Sequence, residues 1–118
     1  GIELVMTGFL ELDNGLRLPL DEHGFLLNRE DWSESVAEQF ARNDEIHLTE
    51  GHWLVIRILR AYFENFEIEP PMRALVKELR DSDGASIANS LELYRLFPDG
   101  PVKQGSRYAG LPIPISCI

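Results

Sequence analysis

Residues 49–66, "TEGHWLVIRILRAYFENF", decide the fold. Thr49 is a good helix N-cap, and apolar side chains then recur nearly all round the helical wheel. The exception is a stripe formed by Arg57, Arg60 and Glu64. A helix at a protein surface is apolar along one face only, so this narrow polar stripe predicts the buried centre of a helical bundle. Downstream, "PPMRALVKELR" (70–80) predicts a second helix with Pro71 in its first turn and Met72, Leu75, Val76 and Leu79 facing inward. Upstream, "NREDWSESVAEQFARND" (28–44) predicts a helix capped by Asn28, with Asp31 as its reciprocal partner and Trp32, Val36, Ala37 and Phe40 on the core side. Both tryptophans, Trp32 and Trp53, are expected in the core.

Further out, "TGFLELDNGLRLPLDEHGFL" (7–26) alternates apolar and polar residues on both sides of Asn14-Gly15. That pattern predicts a β-hairpin with Leu10, Leu12, Leu16, Leu18 and Leu20 on one face. After the break at "DSDGASIANS" (81–90), Ile87, Leu91, Tyr94 and Phe97 predict the inner face of another helix. "FPDGP" (97–101) ends it. Pro101 suits the start of a last short helix reaching about Tyr108, with Gly110 as its C-terminal cap. The expected architecture is mainly α, or α+β by strict count. A hairpin region (3–27) packs on a helical core of about five helices (28–108), all in a single domain of 1–118.

The remaining stretch, "AGLPIPISCI" (109–118), holds the only cysteine, Cys117. Pro112 and Pro114 each lack a backbone donor and push the preceding residue to extended geometry, which predicts a semi-stiff, extended arm. At ~3.1 Å per residue, such an arm carries its thiol roughly 20 Å from Gly110. A chain end with an incidental cysteine is the bland alternative.

Charge and composition narrow the chemistry. The net charge is −9. Residues 1–56 hold Arg17, Arg29 and Arg42 against twelve acidic side chains, whereas residues 57–118 hold eight of each sign. The helices at 49–66 and 71–80 have the outline of a helix-turn-helix, with Arg73, Lys77 and Arg80 available for phosphates. The acidic first half nonetheless opposes autonomous DNA binding. A single cysteine forms no internal disulfide, and no apolar run spans a membrane, so a cytoplasmic protein is expected. His23, His47 and His52 have no metal-ligand spacing, and no cofactor motif appears. No set of base, oxyanion donors and nucleophile suggests standalone turnover. Lys103 and Arg107, at the base of the arm, are candidate contacts to the arm or to acidic groups on a partner. Their alternative is ordinary solvated helix-surface charge.

"LFPDGPVKQGSRYAGLPIPISCI" (96–118), with "DEHGFLLNREDW" (21–32), "LTEGHWLVIRILRAYF" (48–63) and "PPMRALVKELR" upstream, resembles the DsrC/TusE family of sulfur-relay proteins. The likeness runs from about Met6 to Ile118. It implies that Cys117, the penultimate residue, carries sulfur as a persulfide on a mobile arm. Members that partner dissimilatory sulfite reductase have a second cysteine eleven residues earlier, where Ser106 stands. The single-thiol pattern is therefore similar to the TusE branch. Membership there implies a sulfurtransferase taking sulfur from a TusBCD-like complex and passing it to an MnmA-like enzyme for tRNA 2-thiouridine synthesis. A sulfite-reductase-type partner is the alternative within the same family.

Overall fold

The computed structural model of the protein describes residues 8–118. Strands β1 (Gly8–Glu11) and β2 (Arg17–Leu20) pair antiparallel, with Leu10 opposite Leu18 and Glu11 opposite Arg17. The turn between them is closed by Gly15 N–H on the Leu12 carbonyl (2.9 Å) and Leu12 N–H on the Leu16 carbonyl (2.8 Å). Asn14 Oδ1 accepts from Leu16 N–H, and Gly15 sits at φ +84°, a backbone shape that side chains disfavour. Leu16 stays opposite Leu12 but lies at the mouth of this three-residue turn, just outside β2. Leu10 and Leu18 are buried as expected, but Leu16 is exposed. A second tight turn follows, in which Asp21 Oδ1 accepts from the N–H groups of His23 and Phe25. It returns Leu26 to bridge Leu20 and buries Phe25. Residues 3–7 of the expected hairpin region lie outside the described residues.

The first helix differs from its sequence reading. Residues Arg29–Asp31 form one 3-10 turn, Asn28 makes no side-chain cap, and Trp32 is extended. Helix α1 then runs Glu34–Asn43, burying Val36, Ala37, Phe40 and Ala41 against β1 and the rest of the core. The expected Asn28-Asp31 capping box is therefore not formed, and only a single turn follows Asn28. Trp32 leaves the helical path because its indole N–H has a partner 76 residues away, the Tyr108 carbonyl at 2.8 Å. Trp32 and Trp53 are both half-buried rather than enclosed in the core.

Helix α2 (Glu50–Phe66) is central over its first three turns, where His52, Val55, Ile56 and Leu59 are buried. It packs against α3 (Met72–Arg80), which buries Leu75 and Leu79, and against α5 (Pro101–Tyr108). Pro71 caps α3 instead of entering it. Helix α4 (Ser90–Leu96) is capped by Asn89, whose Oδ1 accepts from Glu92 N–H. Its inner face is rotated from the expected one. Leu93 and Phe97 are fully buried, while Leu91 (64% exposed) and Tyr94 (51%) face outward and Ile87 lies in the preceding 3-10 turn. Seven residues make barely two turns, and the tertiary contacts of Phe97 and Leu93, not periodicity, fix the rotation. Gly105 lets α5 approach α2 closely, since a Cβ there would stand 2.7 Å from Leu59 Cδ1. Each buried Leu, Ile or Phe in this core contributes about 1.5–3 kcal/mol relative to exposure. Among the described residues no helix is long and apolar enough to cross a membrane.

His52 links the start of α2 to the end of α4. Its Nδ1 lies 3.0 Å from the Thr49 amide, which can only donate, so Nε2 carries the proton and donates to the Leu96 carbonyl at 2.7 Å. Burial lowers the imidazole pKa, and the Leu96 bond opposes that only partly. The folded protein therefore holds His52 neutral at pH values where an unfolded chain, titrating near ~6.5, is already protonated. Its stability contribution is intact above about pH 6.5 and falls as the pH drops through the window below it. His52→Gln should flatten the stability–pH slope below pH ~6.5, by at most about 1.4 kcal/mol per pH unit, in urea melts across that range. An unchanged slope would mean that His52 does not titrate differently in the folded state.

Candidate functional site

Cys117 is exposed, on a 3-10 turn (Ile115–Cys117) that ends the chain segment following α5. Between α5 and that turn, residues 111–114 have no regular structure, as the two prolines require. The turn itself was not expected from the sequence. It forms because Pro114, at φ −58°, offers its carbonyl to Cys117 N–H at 2.9 Å. The arm lies back on the body. Leu111 and Pro114 are buried, and Ser116 N–H donates to Glu69 Oε1 at 3.2 Å. Arm residues Leu111, Pro112, Ile113 and Ile115 roof a cavity of ≈ 180 Å³ whose other walls include Phe63, Ile68 and Ser106. Ser106, 1% exposed, thus faces this cavity from α5.

The root of the arm is held by backbone geometry and by two side chains. Gly110 is left-handed (φ +72°), Leu111 N–H reaches the Ser106 carbonyl at 3.0 Å and Gly110 N–H the Arg107 carbonyl at 3.2 Å. These bonds close α5 with the reversal expected of a glycine at this position. They leave the carbonyls of Tyr108 and Ala109 without a backbone donor among the described residues. Trp32 Nε1 donates to the first at 2.8 Å and Arg60 Nη1 to the second at 2.8 Å. The Arg60 guanidinium also lies 3.8 Å over the Trp32 ring. Its pKa is lowered, first by desolvation, although Glu64 partly offsets this. A cation at this end of α5 also complements the helix dipole. Of the polar stripe read on α2, Arg60 therefore turns onto the arm root, whereas Arg57 stays exposed beside a cleft shared with Glu50 and Asp83.

The other face of α5 is tied to α1 through Asp44. Its Oδ2 accepts from the Arg107 guanidinium, from Tyr108 Oη at 2.6 Å and from Gln104 Nε2 at 3.3 Å. Gln104 Nε2 also donates to Tyr108 Oη, and its Oε1 accepts from Asp99 N–H. Burial, and then the bond to Asp44, raise the Tyr108 pKa, so the phenol stays protonated and donating. Arg107 is therefore engaged inside the chain. Lys103 faces Asp99 at 3.9 Å and remains partly exposed. Their ion-pair partners, Asp99 and Asp44, lie outside residues 109–118, so the structure brings them to α5 but not to Cys117. Lys77, one of the three basic residues read on α3, is paired with Asp81 at 2.8 Å.

Sequence reasoning missed Trp32, Asp44 and Glu69, which meet the arm or α5 only through long-range folding. It singles out Arg60 only as one member of the polar stripe on α2. Among the described residues no cluster of His, Cys, Asp or Glu is arranged to hold a metal. Clefts of ≈ 470 and ≈ 560 Å³ flank α2, but neither is lined by residues of the arm. What the arrangement offers chemically is one accessible thiol on a short strap whose root is rigid.

A side chain at position 110 would meet both obstacles at once. Its Cβ would stand 2.4 Å from Trp32 Cδ1 and would have to accept the left-handed backbone. Gly110→Ala should cost about 3 kcal/mol, adding overlap to backbone strain. Gly15→Ala, also left-handed but with nothing within 4 Å, should cost about 1–2 kcal/mol from strain alone. Equal losses in chemical denaturation would show that Trp32 does not pack on the arm root.

Comparison with known proteins places this geometry. The family model described as DsrC like protein matches residues 13–118. Sulfurtransferase TusE of Photorhabdus laumondii is 45% identical over 104 residues, covering 88% of this chain and 94% of that protein. Sulfurtransferase TusE of Yersinia pestis is also 45% identical, covering 88% and 95%. The NMR structure of Allochromatium vinosum DsrC matches with a TM-score of 0.80 at 43% identity, over 94% of this chain and 98% of that one. The oxidized gamma-subunit of the dissimilatory sulfite reductase (DsrC) from Archaeoglobus fulgidus gives 0.80 at 43%, over 93% and 99%. With a family model spanning most of its length and relatives of this identity sharing its fold, the chain belongs to the DsrC/TusE family.

Proposed function

We propose that this protein is a sulfurtransferase of the carrier type, accepting sulfur on Cys117 and handing it on in tRNA 2-thiouridine synthesis. The observation that carries the reading is the sole thiol of the chain standing exposed at the tip of the arm, in a protein 45% identical to sulfurtransferases named TusE. Single-domain unity over 1–118 and a cytoplasmic location belong to the same reading.

The transfer needs no outside oxidant. The Cys117 thiolate attacks the terminal sulfur of a donor persulfide, R–S–SH. A new S–S bond forms as the donor's S–S bond breaks, giving Cys117–S–SH and the donor thiolate. In the second half, an acceptor nucleophile takes the terminal sulfur and Cys117 leaves as thiolate. The protein supplies little beyond the thiol and its reach, so turnover requires the donor's and acceptor's own sites. A TusBCD-like donor complex and an MnmA-like tRNA-thiolating enzyme fit these roles, with tRNA meeting the carrier only through the latter.

Ser106 separates this from the sulfite-reductase branch. A hydroxyl at that position forms no disulfide with Cys117, so every sulfur exchange of this chain is intermolecular. That favours a relay over a carrier that stores an internal disulfide or trisulfide.

Incubation with a cysteine desulfurase, cysteine and the upstream relay proteins should add about 32 Da to the intact protein, and a thiol reductant should remove it. Cys117→Ser should stay unmodified. If the wild type remains unmodified while the donor complex is demonstrably charged, the carrier reading fails for that donor.

A further inference from the structure

We propose that Trp32 and Arg60 are positioning residues for sulfur transfer: they fix the root of the arm, so that it pivots only beyond Gly110 and Cys117 is aimed in one direction. This rests on the carrier reading for its purpose, but the geometry stands by itself.

The last carbonyls of any helix lack intrahelical donors, and water usually serves them when they are exposed. Here the two carbonyls flanking the arm root are served by side chains from separate elements. Trp32 precedes α1, and Arg60 lies in the middle of α2. The two donors support each other, since the guanidinium lies face-on to the indole at 3.8 Å. Stacking of this kind fixes the planar Arg fork, which a lysine would not match. Trp32 has a second task, because its Cβ, Cγ and Cδ1 occupy the space a side chain at Gly110 would need. One indole thus sets the direction in which the chain leaves α5 and excludes alternatives.

The remaining contacts of the arm are of a different kind. Beyond Leu111, the only hydrogen bond from arm to body among the described residues is the exposed Ser116–Glu69 contact at 3.2 Å, and Ile115 through Ile118 are exposed. An exposed bond of that sort is readily exchanged for water. The arm therefore has a firm root and a loosely held tip. That division suits a thiol that must leave the body yet arrive in a partner's site with a defined approach. A nucleophile misplaced by about 1 Å can lose on the order of 100-fold in rate.

The direct test measures arm direction without sulfur chemistry. In a Cys117→Ser background, spin labels are attached at Pro112→Cys and Glu78→Cys, both exposed positions, and their separation is measured by pulsed electron resonance. The native clamp should give one narrow distance. Trp32→Phe, which keeps a ring but loses the N–H, and Arg60→Met, which keeps the stem, should each broaden it. Circular dichroism should show the body still folded, and Arg60→Lys should restore the narrow distance only in part. If Arg60→Met does not fold, Trp32→Phe alone decides. Unchanged distances in folded variants, with only a lower melting temperature, would overturn the proposal by showing a merely structural role.

In the full protein with Cys117 intact, the same variants should lose about 10- to 100-fold in kcat/KM for sulfur taken from a protein donor. Loading from glutathione persulfide, which diffuses to the tip, should be unchanged. Equal losses with both donors would contradict positioning. Wild-type protein that neither donor can load would instead sink the carrier reading, with the distance measurement still deciding the clamp.

Discussion

Two carbonyl oxygens at the end of α5, those of Tyr108 and Ala109, are the points on which the placement of Cys117 depends. A helix cannot satisfy its own last carbonyls, and a glycine reversal satisfies only some of them. In this protein the rest are taken by Trp32 and Arg60. The need to deliver those donors explains features that otherwise look irregular. Trp32 breaks from the helix that its neighbours predict, and one arginine of an otherwise exposed stripe lies against an aromatic ring. On the opposite face, Asp44 gathers Arg107, Tyr108 and Gln104, so α5 is bound to both α1 and α2. The strap begins from a helix that has little freedom to move.

From that root outward, the interactions weaken in sequence. Leu111 and Pro114 are buried, Ile113 is half-buried, and the turn carrying Cys117 is exposed. The gradient suits the proposed carrier role: order at the root, where direction is set, and weak attachment at the thiol. With Cys117 the single cysteine of the sequence, no disulfide can form between this thiol and another in the same sequence.

Much of the fold was legible because its signals are local. Asn14-Gly15 specifies the hairpin turn, Thr49 precedes α2, Pro101 opens α5, and Gly110 closes it. Each depends on a few adjacent residues whose backbone preferences agree. The misreadings have an equally physical origin. Alternation places Leu16 on the inner face, but at the mouth of the turn, outside β2, it is exposed. Leu91 and Tyr94 were assigned inward because a seven-residue helix admits more than one apolar face, and the packing of Leu93 and Phe97 chooses. Cys117 was visible as a candidate from its setting behind two prolines. The clamp was not, since Trp32 and Arg60 reach α5 across separations of 76 and 49 residues. Lys103 and Arg107 drew notice by sequence proximity to the arm, yet their recorded partners are Asp99 and Asp44.

Delivery of sulfur, more than its acceptance, is the direct test of a relay. Protein charged on Cys117 with radiolabelled sulfur, and freed of its donor, would be mixed with an MnmA-like enzyme in a complete tRNA-thiolation reaction for a single turnover. Label should leave Cys117 and appear in 2-thiouridine of the tRNA, with the free thiol recovered in step. Label that stays on the protein, or that is released only as sulfide by reductant while the acceptor is active with another sulfur source, would contradict it.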